Sequence, residues 1–305
     1  MNTERLHGAL APVVTPFDRD LAPDAQRLVD HCRWLVTHDV GLAIFGTNSE
    51  ANSLSTGEKL QLMDAVVHAG LPPARMTPGT GCCALPDTVE LTRRAVSHGC
   101  AGVLMLPPFY YKGVSDDGLF ASYAEVIERV GDAPLRIYLY HIPPVSQVPI
   151  SLALIERLLA RYPETVAGVK DSSGDLANTR AMLDHFAAQG FAVFAGNETF
   201  LLATMRGGGA GSISAVANVN PAAIAELARD WQRPDAQARQ VRLDRVRKAL
   251  APFPMLAALK ATVAHFSRDD AWARPRPPLM ALSDTERARC MTALADIGFT
   301  MPGLA

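Results

Sequence analysis

Short apolar runs alternate along the chain with longer stretches whose apolar positions recur every three or four residues. The short runs predict strands at "ALAPVVTPF" (9–17), "GLAIFG" (41–46), "MTPGTG" (76–81) and "GVLMLPP" (102–108). They continue at "LRIYLYHI" (135–142), "VAGVKD" (166–171), "FAVFAG" (191–196) and "GSISAVAN" (211–218). Between them the longer period predicts helices near 24–38, 56–69, 86–98, 116–130, 151–160, 175–188, 197–206 and 221–231. Start signals agree: Ser55 to Glu58 has capping-box spacing, Ser151 can cap the fifth helix, and Ser172 to Asp175 precedes the sixth. Runs apolar on both faces belong to parallel strands, and repeated strand–helix units imply a doubly wound sheet or a closed barrel. Eight units within ~230 residues match the (β/α)8 barrel, typically ~250 residues. The expected fold class is therefore α/β, a (β/α)8 TIM barrel over residues 1–231, with a C-terminal helical appendage over 232–305.

Composition narrows the function classes. Of 305 residues, 49% are hydrophobic and 20% charged, enough apolar material for a sizeable core. The formal charge of −2 gives no basic surface for nucleic acid or an anionic membrane. Uncharged runs at 95–111, 137–155 and 207–225 are long enough to resemble membrane spans. Each carries proline, glycine and polar residues that suit buried strands and loops better. The N-terminal stretch has no signal-peptide pattern, so a cytoplasmic location is expected. Five cysteines at no zinc or redox spacing, including adjacent Cys82 and Cys83, suggest reduced thiols.

In a barrel, chemistry gathers where strands end at their C-termini. Those ends offer Thr15, Thr47 to Glu50, Thr80, Tyr110 to Lys112, Tyr140 with His141, Lys170 with Asp171, Asn197 with Glu198, and Ser212 to Ser214. Only His141 among eight histidines falls there, so no metal is expected. "RGGGAGS" (206–212) is a rival phosphate loop, but glycine-rich turns also arise for steric reasons. No dinucleotide fingerprint stands in a strand–turn–helix context. Lys170 shares side-chain parity with Val166 and the small Gly168. Pointing inward, it would be desolvated toward the free amine that a Schiff base requires; pointing outward, it would pair with Asp171 or the helical ring. From this stretch alone both readings stand. Tyr140, closing the preceding apolar strand, offers a phenol to relay protons beside such an amine, although it also suits a core or rim aromatic.

"FGTNSEANSLSTGEK", "PPFYYKG", "YLYHIPP", "VAGVKDSSGD" and "GNETFLLATMRGGGAGSISAVAN" occur in an order and spacing that resemble the dihydrodipicolinate synthase/N-acetylneuraminate lyase family. The resemblance runs from about Gly8 to at least Asn218, with a helical C-terminal tail like the family's. It implies a (β/α)8 barrel, usually tetrameric as a dimer of dimers, that forms a lysine Schiff base with pyruvate or another 2-oxo acid without metal or organic cofactor. By motif, Lys170 is similar to the Schiff-base lysine and Tyr140 to the general acid/base. Thr47, with the amides of Thr47 and Asn48, matches the turn that holds the substrate carboxylate. Tyr111, more closely than Tyr110, matches a tyrosine lent across a subunit interface, and Gly196 and Ile213 match positions whose carbonyls line the site.

The departures concern substrate. Thr47-Asn48-Ser49 replaces the usual Thr-Thr-Gly. Where the synthase has an arginine for a distal carboxylate, this chain has Val145, expected to be buried and unable to make that bidentate pair. Glu198 stands alone where sialic-acid lyases have an acidic pair, and Thr56 and Lys59 fall where the synthase's regulatory site has histidines. The expected activity is a carbon–carbon lyase joining pyruvate to an aldehyde other than the synthase's. Alternatives are dehydration of a 2-oxo-3-deoxy sugar acid, with Glu198, His141 or Asn48 serving the leaving hydroxyl; 4-hydroxy-tetrahydrodipicolinate synthase proper; and a non-catalytic barrel that binds a 2-oxo acid.

Overall fold

In the computed structural model, which describes residues 6–132 and 134–304, strands and helices alternate as the hydrophobic period requires. The order begins β1 (Gly8–Ala11), α1 (Ala25–Thr37), β2 (Gly41–Leu42), α2 (Thr56–His68), α3 (Leu85–Ser97), β3 (Val103–Met105) and α4 (Asp116–Val130). It continues with β4 (Ile137–His141), α5 (Pro143–Ser146), α6 (Leu152–Arg161), β5 (Val166–Asp171), α7 (Leu176–Phe186), β6 (Ala192–Ala195), α8 (Leu201–Arg206), β7 (Gly211–Ile213) and α9 (Pro221–Arg229). The tail adds α10 (Ala236–Leu250), α11 (Met255–Ser267) and α12 (Asp284–Ala295). The helix starts obey capping chemistry. Ser55 and Glu58 form a reciprocal capping box, Ser151 accepts the Leu154 N–H, and Asp175, rather than either preceding serine, accepts the Ala177 N–H to open α7.

The chain divides into two units, one made of the segment up to Gly8 with Pro72–Ser212, the other of Ala9–Leu71 with Ile213–Ala305. In the first, β3, β4, β5, β6 and β7 lie side by side in that order, all parallel. Their residues are buried on both faces, which is why the sequence reads as continuous apolar runs. The expected third strand (76–81) is reduced to one parallel bridge, Gly79 with Leu104. Leu104 N–H donates to Pro78 O and Thr80 N–H to Leu104 O, but Pro78 has no N–H with which to extend the ladder. Tyr138 occupies the middle of this core, its hydroxyl accepting the Leu6 N–H at 3.0 Å. Gly102 and Gly168 flank the ring: a Cβ at either would lie 2.8 Å from a ring carbon. The smallness of Gly168 thus admits Tyr138 and is not simply space beside Lys170.

In the second unit, β1 and β2 pair in parallel, with Leu10 opposite Gly41 and Ala11 opposite Leu42. Asn218 pins the chain after β1, accepting the Val14 N–H and donating to Pro12 O and Ala215 O. The helices of the tail belong to this unit. Leu243, Val246 and Leu250 of α10 and Ala258, Leu259 and Val263 of α11 are buried. Among the described residues no single helix is long and apolar enough to cross a membrane.

Candidate active site

Lys170 is the next-to-last residue of β5 and Tyr140 the next-to-last of β4, and they stand opposite each other in the ladder. This pairing depends on an irregularity at the start of the strands. Ile137 faces Val166, but Tyr138 faces Gly168, so Ala167 is one extra residue on β5. Had the ladder run on without skipping Ala167, Lys170 would stand opposite His141. Both side chains are 2% exposed, and the Lys170 ammonium lies 4.2 Å from the centroid of the Tyr140 ring. Among the described residues no carboxylate pairs with Lys170. A cation over an aromatic face is stabilised less than one paired with a carboxylate.

Side chains alternate across a strand, so Asp171 and His141 leave the sheet on the opposite face. There they do structural work. Asp171 accepts the Ser173 N–H at 3.0 Å and the Thr179 hydroxyl at 2.6 Å, joining β5 to α7. His141 Nδ1 accepts the Ile150 N–H at 3.0 Å, which places its proton on Nε2, 4.0 Å from Asp171 Oδ1. Burial lowers the His141 pKa despite the nearby Asp171. The alternative in which Lys170 pairs with Asp171 is thereby excluded, and His141, engaged on the helix side, does not share a face with Tyr140 and Lys170.

Gly196 comes directly after β6, its N–H donating to Asp171 O at 2.7 Å. A Cβ there would lie 2.0 Å from Ser172 Oγ and 2.8 Å from Asp171 O, so only glycine lets the two strand ends approach. Glu198 is fully buried just beyond, in the turn that Asn197 caps by accepting the Thr199 N–H. Tyr110 and Tyr111 are exposed, 76% and 56%, and meet edge to face. Their loop is held by Lys112, whose ammonium donates to Phe109 O and Ser146 O, and by Cys83 Sγ, which accepts the Tyr110 N–H. Val145 is 60% exposed, which corrects the expectation that it is buried. Pro143 and Pro144 open the single turn α5, which buries Ser146 and turns Val145 outward.

The other expected residues belong to the second unit. Thr47 and Asn48 form a 3-10 turn with Ser49. Its internal bonds use the amides of Ser49, Glu50 and Ala51, while Ser49 Oγ accepts the Gly46 N–H and Ser49 O accepts the Thr15 hydroxyl at 2.6 Å. Ile213 is fully buried at the end of β7. Sequence reasoning missed the partner of the residue that closes the turn. Glu50, buried and left-handed at φ 55°, meets Lys260 of α11 with Oε1 to Nζ at 2.5 Å. Lys260 is fully buried, and burial lowers its pKa to about 8 even though Glu50 opposes the shift. The available signal was a lysine inside the otherwise apolar "PMLAALKATVAHF". Among the described residues no group of three or more His, Cys, Asp or Glu side chains is placed to hold a metal ion.

Comparison with known proteins matches residues 5–297 to the dihydrodipicolinate synthetase family. An uncharacterized DapA-like lyase of Chloroflexus aurantiacus is 33% identical over 94% of this chain and 95% of its own. A 4-hydroxy-tetrahydrodipicolinate synthase of Acidiphilium cryptum is 31% identical over 96% of this chain and 98% of its own. The crystal structure of dihydrodipicolinate synthase from Agrobacterium tumefaciens superposes with a TM-score of 0.88 at 32% identity, covering 95% of this chain and 99% of that one. The chain belongs to the dihydrodipicolinate synthetase family, as a lyase or aldolase built on a (β/α)8 barrel with a C-terminal helical extension.

Proposed function

We propose that the protein is a class I lyase that makes or breaks a carbon–carbon bond beside a pyruvate-derived enamine. The observation that carries this reading is a buried Lys170 with no carboxylate partner among the described residues, facing the Tyr140 ring at 4.2 Å. The free amine attacks the 2-oxo carbon, the carbinolamine loses water, and the resulting imine loses a proton from C3 to give the enamine. The enamine then adds to an aldehyde, or is released from one in reverse, and hydrolysis returns the amine. Tyr140 is assigned the proton transfers, since a phenol on the neighbouring strand faces the same atoms. The family resemblance assigns Thr47, with the amides of Thr47 and Asn48, to the substrate carboxylate, and Gly196 and Ile213 to lining carbonyls. Val145, apolar and exposed, offers no charge to a distal carboxylate, which supports an aldehyde partner other than the synthase's. The engagement of His141 on the helix face removes one of the groups that a sugar-acid dehydratase reading would use.

We further propose a cytoplasmic homo-oligomer in which Tyr111 serves a neighbouring copy; its exposure supports this. Incubation with pyruvate and borohydride should add one reduced pyruvyl group to Lys170, located by peptide mass spectrometry and lost in Lys170→Ala. An unmodified Lys170, under conditions that label a known family member, overturns the proposal. A screen of aldehydes and 2-oxo sugar acids, read by pyruvate release, then identifies the partner.

A further inference from the structure

The turn Thr47–Ser49 ends on a residue that is costly to place. Glu50 has φ 55° and ψ 34°, a left-handed conformation that is unfavourable for a residue other than glycine. Its N–H closes the turn on Thr47 O at 3.2 Å, so the backbone of the turn goes wherever Glu50 is held. The side chain is held at both oxygens. Oε1 meets Lys260 Nζ at 2.5 Å, and Oε2 accepts the Arg276 N–H at 2.8 Å. The two cations are themselves fixed against one ring: Lys260 Nζ lies 4.6 Å, and the Arg276 guanidinium 4.7 Å, from the Phe17 centroid. Arg276 also forks onto Glu58 at 2.7 and 3.0 Å and donates to the carbonyls of Leu21 and Ser53. The network therefore ties the turn to the start of α2, to α11 and to the segment around Arg276.

A buried ion pair is a poor source of stability. Apolar residues of similar volume often serve as well, whereas removing one partner strands a charge. What the pair supplies is a fixed direction, at both ends of a carboxylate, for a strained backbone. We infer that the Lys260–Glu50 pair is a positioning device that sets the Thr47–Ser49 turn for the carboxylate of the 2-oxo acid. This rests on the Schiff-base reading and names what holds one of its parts. Neither Lys260 nor Glu50 is a catalytic residue; both act through the turn.

The test measures how borohydride labelling of Lys170 depends on pyruvate concentration, alongside the melting temperature, in the wild type, K260M, K260R and the charge-free pair E50L/K260M. K260M should raise the half-saturating pyruvate concentration at least ~10-fold, while labelling at saturation still reaches one group per chain. K260R, which keeps the charge, should recover most of that loss. E50L/K260M, which strands no charge but leaves the Arg276 N–H without its acceptor, should regain part of the melting temperature that K260M loses while its half-saturation stays raised, an outcome that a purely structural role does not give. Folded K260M with wild-type half-saturation overturns the inference, as does an E50L/K260M pair that recovers stability and half-saturation together. If K260M does not fold, the double variant alone decides by the same criterion. An unlabelled wild type instead removes the Schiff-base reading, and this inference with it.

Discussion

Replacing His31 by leucine isolates what the burial of one imidazole does to the acid limit of the fold. His31 lies on the buried side of α1, stacked on Trp34 at 5.5 Å and tilted against Trp272 at 5.1 Å. Both ring nitrogens are buried without a hydrogen-bond partner among the described residues. Asn218 is near enough to temper the effect, but its amide is committed to Val14, Pro12 and Ala215. Desolvation therefore dominates and lowers the pKa from 6.5 to about 4. Between those values the unfolded chain binds a proton that the folded chain refuses, so stability rises with pH there and falls on acidification. The shift corresponds to about 3 kcal/mol in full, of which about 2 kcal/mol falls between about pH 7 and about pH 4.5. Urea unfolding followed by circular dichroism at those two pH values measures the difference directly. His31→Leu should lose about 2 kcal/mol of the wild type's acid sensitivity, whatever it does to stability at neutral pH. An identical pH dependence in the two proteins would refute the argument that burial, rather than some other group, sets the limit.

Tyr140→Phe should keep Lys170 labelling by pyruvate and borohydride but lower turnover ~100- to 10,000-fold, the usual contribution of a positioned acid/base; near-normal turnover would remove Tyr140 from the chemistry. Gly196→Ala should destabilise by about 1–3 kcal/mol in urea, as overpacking does. Adding Ser172→Ala should relieve it only in part, because Asp171 O still lies 2.8 Å from the new Cβ. His141→Leu leaves the Ile150 N–H without its acceptor and should cost about 1–3 kcal/mol in stability. Because the His141 pKa is lowered and the ring faces the helices, the pH–rate profile of the wild type should carry no limb that this variant abolishes; loss of such a limb would return His141 to the mechanism.

Periodicity makes most of the fold legible, because helix faces and buried strands leave marks within a dozen residues. The expected helices at 24–38 and 116–130 form at Ala25–Thr37 and Asp116–Val130. The expectations fail where the outcome depends on distant or subtle geometry. "MTPGTG" has the composition of a strand end, but Pro78 and its glycines limit the ladder to one bridge. Val145 sits in an apolar neighbourhood that suggests burial, and the proline pair ahead of it turns it out. Lys170 and Tyr140 are legible as chemical types, yet nothing in the sequence alone tells whether the lysine meets the phenol or Asp171. The Glu50–Lys260 pair joins residues 210 apart in the chain, and no local pattern announces such a partner.

The extra residue at Ala167 bears on how this candidate site can be inherited or borrowed. Beyond it, one face of β5 presents chemistry and the other presents scaffold, with Lys170 and Asp171 one step apart. Loss of Ala167 itself would leave a regular ladder with Lys170 still opposite Tyr140, whereas loss of Gly168 or Val169 behind the retained irregularity would bring Asp171 there instead. Anyone grafting this lysine and tyrosine onto another parallel barrel would have to match the register that pairs them, whether with the irregularity or with one residue fewer on the second strand.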